Sequence, residues 1–193
     1  MAGHVRYTAL LDACVLFPIA VADSLMSLAT AGLFAAKWTR RIEQEWMTNL
    51  EELRPELRGR LEVRRDGMRE AVPDWEVNES AWAPLVGNME LPDPDDQHVL
   101  AAAIAGHADC IVTANLRDFP AEIVSPYGIE VIHPDRFIIN QWDLEHIATM
   151  SAFKGMRARW RNPKATPEGF AQALERNGLL ATAQRIREAA ELI

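Results

Sequence analysis

The stretch Leu91-Pro-Asp-Pro-Asp-Asp-Gln-His-Val-Leu-Ala-Ala-Ala-Ile104, followed by Ile111-Val-Thr-Ala-Asn-Leu-Arg-Asp-Phe119, constrains the fold most. It reads as an acidic helix start, an apolar helix, a short buried strand and a second acidic turn. Tyr7-Thr-Ala-Leu-Leu-Asp12 repeats the theme, since an apolar strand-like run ends on a carboxylate. Strands that alternate with helices predict an α/β fold with a mostly parallel sheet. Carboxylates placed just after such strands, or on the helix that follows, gather at one edge of the sheet, where ligands bind in open α/β folds. Oxygen clusters of this kind bind hard divalent cations. The pattern points to metal-dependent phosphodiester chemistry.

The remaining elements follow from periodicity. Tyr7 to Leu11 is the first strand, and a helix runs from Pro18 to Ala31. Thr39 caps a helix to Leu53 whose apolar stripe is Ile42, Trp46, Leu50 and Leu53. A third amphipathic helix spans about Pro55 to Glu70, and Asp74 to Val77 is a weak strand. A helix from Asp96 to about His107 precedes strands at Cys110 to Thr113 and Glu130 to Ile132. Pro134 opens another helix. Asn162-Pro163 interrupts the basic run Lys154 to Lys164, and two further helices, one starting at Thr166-Pro167, are separated by Asn177-Gly178. Residues 1–145 therefore read as a catalytic domain and 146–193 as a small helical extension.

Charge agrees with that division. The net charge of −8 argues against a protein that coats nucleic acid nonspecifically. Residues 151–193 carry eight Lys or Arg and four acids, so this part is basic while the body is strongly acidic. Cys14 and Cys110 lack zinc-like spacing and read as thiols of a reducing, cytoplasmic compartment. The apolar stretch Leu10 to Ala36 contains Asp12, Asp23 and Pro18. An Asp at a membrane centre costs about 3 kcal/mol, so the stretch reads as a strand and a buried helix, not as a span.

Three acidic positions are candidates for the chemistry: Asp12; Asp93, Asp95 and Asp96; and Asp118. Asp96 taken alone is a helix cap, and Asp118 alone is a turn residue. Asp12 is harder to dismiss, because a carboxylate straight after a buried strand is costly unless it is paired, hydrogen-bonded or metal-bound. Glu43 and Glu45 lie off the Ile42–Trp46–Leu50 stripe, on what reads as a solvated helix face. The basic segment with Arg157, Arg159, Arg161 and Lys164, together with Trp160, offers phosphate contacts and stacking to RNA, against a solvated linker face. The four arginines at positions 58, 60, 64 and 65 read as a salt-bridged solvent face.

At this point the residues resemble a family. Leu10-Leu-Asp-Ala-Cys-Val-Leu16, Trp38-Thr-Arg-Arg-Ile-Glu-Gln-Glu-Trp46, Asp95-Asp-Gln-His-Val-Leu-Ala-Ala-Ala103 and Val112-Thr-Ala-Asn-Leu-Arg-Asp-Phe-Pro120 occur in an order and spacing similar to PIN-domain ribonucleases. These are of the kind that serve as VapC toxins in bacterial toxin–antitoxin pairs. The resemblance covers about residues 5–140, and the basic helical tail resembles an extension found in a VapC subgroup. It implies a three-layer α/β/α sandwich with a mostly parallel central sheet. It implies catalytic acids at Asp12, Glu45, Asp96 and Asp118, with Glu43 and Asp95 as register alternatives. Mg²⁺ or Mn²⁺ would be held by Asp12, Asp96 and Asp118, with Thr113 and Asn115 in support. Asn115 stands where many members carry Asp. The implied partners are RNA, a cognate antitoxin and a second copy of the chain, with no membrane.

Two other acidic-pocket families fit less well. A haloacid-dehalogenase-type phosphatase needs a second Asp two residues after the first, where this chain has Cys14. A receiver domain needs a late Lys, yet no Lys lies between Lys37 and Lys154. Two alternatives within the resemblance stay open: a PIN nuclease for RNA processing or decay without an antitoxin, and a PIN-like binding module that has lost catalysis.

Overall fold

A computed structural model describes residues 6–87, 89–161 and 165–193. The elements in chain order are β1 (Thr8–Leu11), α1 (Ala13–Leu16), α2 (Ile19–Thr30), β2 (Ala35–Lys37), α3 (Arg40–Leu53), α4 (Glu62–Ala71), α5 (Glu79–Trp82) and α6 (Gln97–Ala105). They continue with β3 (Cys110–Val112), α7 (Ala121–Val124), β4 (Glu130–Ile132), α8 (Pro134–Leu144), α9 (His146–Arg159), α10 (Pro167–Arg176) and α11 (Leu180–Glu188). Among the described residues no helix is long and apolar enough to cross a membrane.

Contacts divide the chain into two compact units. One comprises the described residues up to Phe17 with Phe34–His133, and the other Pro18–Leu33 with Pro134–Ile193. The sequence predicts the division at 145/146. The second unit also takes in α8 and the early helix α2, because α2 packs against α9 and α10. Nothing local in the Pro18–Leu33 sequence signals which partner covers its apolar face.

The first unit holds a four-stranded sheet in the order β2-β1-β3-β4, with every pair parallel. This is the α/β class expected from the sequence, with helices following at the C-terminal end. Ala9, Leu10 and Leu11 of β1, and Cys110, Ile111 and Val112 of β3, are fully buried. Strands covered on both faces read as continuous apolar runs, which is why β1 and β3 are visible in sequence. β2 is not visible. Ala35-Ala-Lys37 has little strand propensity and is held by register with β1, Thr8 opposite Ala35 and Ala9 opposite Ala36. The weak strand expected at Asp74–Val77 is a single bridge, Glu76 to Trp38, where Trp38 N–H donates to Trp75 O and Val77 N–H to Trp38 O, each at 2.9 Å.

Helix ends obey local chemistry. Thr39 Oγ1 accepts the Ile42 N–H at 3.1 Å and starts α3 as expected. The buried side of α3 is Ile42, Glu43, Trp46 and Met47, whereas Leu53 is 69% exposed. The apolar stripe is thus displaced toward Met47, and Glu43, one turn before Met47, goes inside with it. The long helix expected from Pro55 is a 3-10 turn at Pro55–Leu57 followed by α4. α6 stops at Gly106, where a Cβ would meet Val77 Cγ2 at 2.9 Å and Ala102 O at 3.0 Å. With φ at −83°, it is the close approach of Val77 and not the turn that favours glycine there.

The second unit is helical. Trp142 stacks on Phe153 at 5.5 Å, Phe153 meets Phe170 edge-on at 6.4 Å, and Trp160 meets Phe170 at 5.0 Å. Asp135 on α8 accepts the Ala181 and Thr182 N–H groups at 2.8 and 2.9 Å and so caps α11. Asn162, Pro163 and Lys164 lie outside the described residues.

Candidate active site

The sheet order places β1 and β3 side by side, with the chain running from β1 to one edge and from β3 to the other. Their carboxyl ends form the switch point at which open α/β sheets bind ligands. Asp12 stands there. Its N–H extends the sheet by donating to Val112 O at 3.2 Å. Its side chain is 5% exposed and fully engaged. Oδ1 accepts the Ala13 N–H at 2.6 Å, and Oδ2 accepts the Thr113 hydroxyl at 2.7 Å and the Cys14 thiol at 3.0 Å. Burial, the Asp12 charge and this hydrogen bond push the Cys14 thiol up to about 12. Cys14 therefore stays protonated and serves as a donor. Cys14 and Cys110 are both free thiols.

Around Asp12 opens a cleft of about 550 Å³. Glu45, Asp95, Asp96 and Asn115 share its lining with Cys14, Phe17, Arg41, Asn49 and His98. Glu45 and Glu43 part company here. Glu43 is 3% exposed and accepts the Trp38 indole N–H at 2.9 Å and Arg69 Nε–H at 3.0 Å. The solvated face expected for Glu43 is in fact a buried ion pair, whose Arg69 also sits 4.7 Å over the Trp75 ring. Glu45 faces the cleft. Its Oε1 lies 2.8 Å from His98 Nε2 and 3.1 Å from Arg41 Nε.

Asp96 occupies the cap position of α6 but makes no capping hydrogen bond, while Asp93 holds the preceding turn by accepting the Asp95 N–H at 2.9 Å. The Asp96 carboxyl is pushed up to about 7, first by burial and then by Asp12, Asp118, Asp93 and Glu45. Asp118 is half-buried in the turn after β3. It does not line the cleft, but its charge reaches Asp96. Asp96 binds a proton more tightly in the folded protein than an ordinary Asp carboxyl does in the unfolded chain. Its contribution to stability is therefore full below about pH 4 and is lost as pH rises through about 7. In metal-free protein, urea midpoints are expected to fall between about pH 4 and 7, and Asp96→Asn to flatten that slope. An equal slope in the variant would show that another group causes it.

The donor set is all oxygen and mutually repulsive, which fits a hard divalent cation by its chemistry. Among the described residues, however, no three Asp, Glu, His or Cys side chains are arranged to hold an ion. A cation would have to draw the carboxylates together.

The basic residues singled out for RNA are placed differently. Arg157 Nη1 donates to Ala165 O at 3.0 Å, and Arg159 Nη2 reaches Asp23 Oδ1 at 2.5 Å and Ser27 Oγ at 2.8 Å. Both hold the second unit together. Arg161 is exposed, and Lys164 lies outside the described residues. Arg64 is also structural: it donates to Phe17 O at 3.1 Å and to Leu16 O, ending α1, and lies 4.6 Å over Trp46. Sequence reasoning missed His98, Arg41 and Asn49 in the cleft. For His98 a signal existed, a lone imidazole in the apolar run Val99-Leu-Ala-Ala-Ala103.

Residues 134–188 match the VapC50 C-terminal domain. A Mycobacterium tuberculosis (strain ATCC 25618 / H37Rv) protein named "Putative ribonuclease VapC50" is 43% identical over 79 residues. That alignment covers 41% of this chain and 47% of the relative, so it spans about half of the relative's length. No solved structure matches the chain. Residues 8–117, more than half of the chain and the whole of the acidic cleft, match the PIN domain. The chain belongs to the PIN domain family.

Proposed function

We propose that this protein is a Mg²⁺- or Mn²⁺-dependent endoribonuclease that hydrolyses RNA phosphodiester bonds and acts as the toxin of a toxin–antitoxin pair. The observation that carries this reading is the gathering of Asp12, Glu45 and Asp96 on one cleft at the carboxyl end of a parallel sheet. Membership of the PIN domain family and the local likeness to a protein named as a ribonuclease support it.

Asp12, Asp96 and Asp118 would hold the cation, with Glu45 beside them. A divalent cation supplies Lewis acidity toward a phosphate oxygen and an attacking water. Asp12 is oriented before any ligand arrives, since three donors fix its two oxygens. Asp96, whose carboxyl is pushed up to about 7 by burial and the acids around it, would hold the cation as its carboxylate. Glu45 has Oε1 engaged and Oε2 free among the described residues, so Oε2 can accept a proton from the water it orients. Arg41, a permanent cation within the acidic cleft, offsets part of the repulsion met by a polyanion. Arg161 offers an exposed phosphate contact on the second unit.

Two measurements test the reading. Incubation with total RNA and Mn²⁺ is expected to give cleavage that EDTA abolishes. Expression alone is expected to arrest growth, and a cognate partner protein to relieve the arrest. Cleavage without growth arrest would favour an RNA-processing nuclease, and metal binding without cleavage a binding module.

Metal binding also has an expected thermodynamic signature. Mn²⁺ at about 100 times its Kd should stabilise the protein by about 2.7 kcal/mol, raising the melting midpoint by several degrees. Asp96→Asn should lose most of that increment. A melting curve unchanged by Mg²⁺ and Mn²⁺ would remove the cation from the reading.

A further inference from the structure

We infer that His98 is the positioning residue for Glu45, an assignment that rests on the proposed nuclease reading for its catalytic consequence. His98 is 2% exposed and lies in the first turn of α6, two residues after Asp96. Its neighbours Val99, Leu100, Ala101, Ala102 and Ala103 are all buried and apolar. An imidazole here is costly, because its ring nitrogens leave water. The cost is visible: Nδ1 is buried with no hydrogen-bond partner among the described residues. Such an orphan costs about 1–3 kcal/mol. Packing alone does not explain the residue, since an aliphatic side chain would fill the position without that penalty.

The explanation lies at the other nitrogen. Nε2 is 2.8 Å from Glu45 Oε1. At that separation the Nε2–H tautomer is the one that gives the Glu45 carboxylate a donor. In that tautomer the unpartnered Nδ1 carries no proton, so no buried donor is left unpaired. Trp82 on α5, its ring centroid 6.0 Å from that of His98, confines the imidazole from another side. Glu45 itself belongs to α3 and is about one-third exposed, and on that helix Arg41 reaches the same Oε1 at 3.1 Å, a pair that moves with α3. His98 ties its Oε1 to α6, the helix that follows Asp96. Oε2 is left for the cleft. The Glu on α3 and the Asp before α6 thereby take a set relation through one imidazole.

The test uses the full chain as wild type, His98→Leu, His98→Gln, Glu45→Gln and the His98→Leu/Glu45→Gln double variant. Gln can place a donor near the Nε2 position, whereas Leu fills the space without one. Spectra of ¹⁵N-histidine-labelled, metal-free protein are expected to show the Nε2–H tautomer at His98, with a shift that moves in Glu45→Gln. With RNA and Mn²⁺, His98→Leu is expected to lower kcat by about 10- to 100-fold with KM within about twofold. His98→Gln, which keeps a donor, should recover most of that loss. The double variant should cleave no more slowly than Glu45→Gln, because a positioning residue adds nothing once its target is gone. Multiplying losses in the double variant, an Nδ1–H tautomer, or wild-type kcat in His98→Leu would each overturn the assignment. If wild type itself does not cleave RNA, the nuclease reading fails. The spectra alone then decide the pairing, and a His98 signal indifferent to Glu45→Gln overturns it.

Discussion

Asp12→Asn is expected to lower RNA cleavage by about 10²- to 10³-fold while leaving the protein folded. The magnitude is that of removing one preorganised electrostatic group from an active site. Asp12 is the group whose orientation is most completely set. It sits where β1 ends, 5% exposed, with the Ala13 N–H, the Thr113 hydroxyl and the Cys14 thiol on its two oxygens. Asn keeps the shape and one acceptor, so Oδ1 still receives the Ala13 N–H. The amide nitrogen would face Thr113 and Cys14, which can turn to accept instead of donate. The net stability change is then one or two exchanged hydrogen bonds, about 1 kcal/mol, or a few degrees in the melting midpoint. Cleavage assays with Mn²⁺, run beside circular dichroism melts, check both halves. Equal cutting by the folded variant and wild type would remove Asp12 from the chemistry.

Arg69→Met is expected to act in the opposite way, destabilising the fold with no direct effect on the cleft. Arg69 holds the carboxylate of Glu43, which is 3% exposed and has the Trp38 indole as its other partner. Removing the cation leaves a buried charge with a single hydrogen bond. Such losses cost about 3–5 kcal/mol for fully buried pairs. Arg69 is 32% exposed, so solvent screening reduces the figure to about 2–3 kcal/mol, including the lost contact with the Trp75 ring. Adding Glu43→Gln should restore part of the stability, because the uncompensated charge disappears. Glu45→Gln provides the contrast, with little change in urea midpoint and a large fall in cleavage. Were Arg69→Met to unfold at the wild-type midpoint, the Glu43–Arg69 pair would be a surface ornament of the helix and not part of its core.

Much of the site was legible because its signals are local. An apolar strand that ends on a carboxylate is written in Tyr7–Asp12, and the acidic turn before an apolar helix in Asp93–Ala103. Burial on both faces imposes the continuous apolar runs of β1 and β3, so their positions could be read directly. The α/β class, Thr39 as the cap of α3 and the place of Asp12 at a strand end follow from these alone.

What the sequence withheld depends on which surfaces meet. Glu43 and Glu45 are two residues apart on one helix, and nothing local says which is buried. The Trp38–Trp75 stack and Arg69 draw Glu43 inside and leave Glu45 to the cleft. β2 exists because β1 offers it an edge, and α2 joins the second unit because α9 and α10 cover it. Arg157 and Arg159 look like free cations in the chain but are spent on Ala165 and on Asp23 and Ser27. By itself the sequence determined β1, β3 and β4, the Thr39 cap and the types of acid at the sheet edge, since these rest on propensity, burial and capping within a few residues. Only the tertiary structure decided which carboxylates share a cleft and which are spent in the core, because that depends on partners brought from distant parts of the chain.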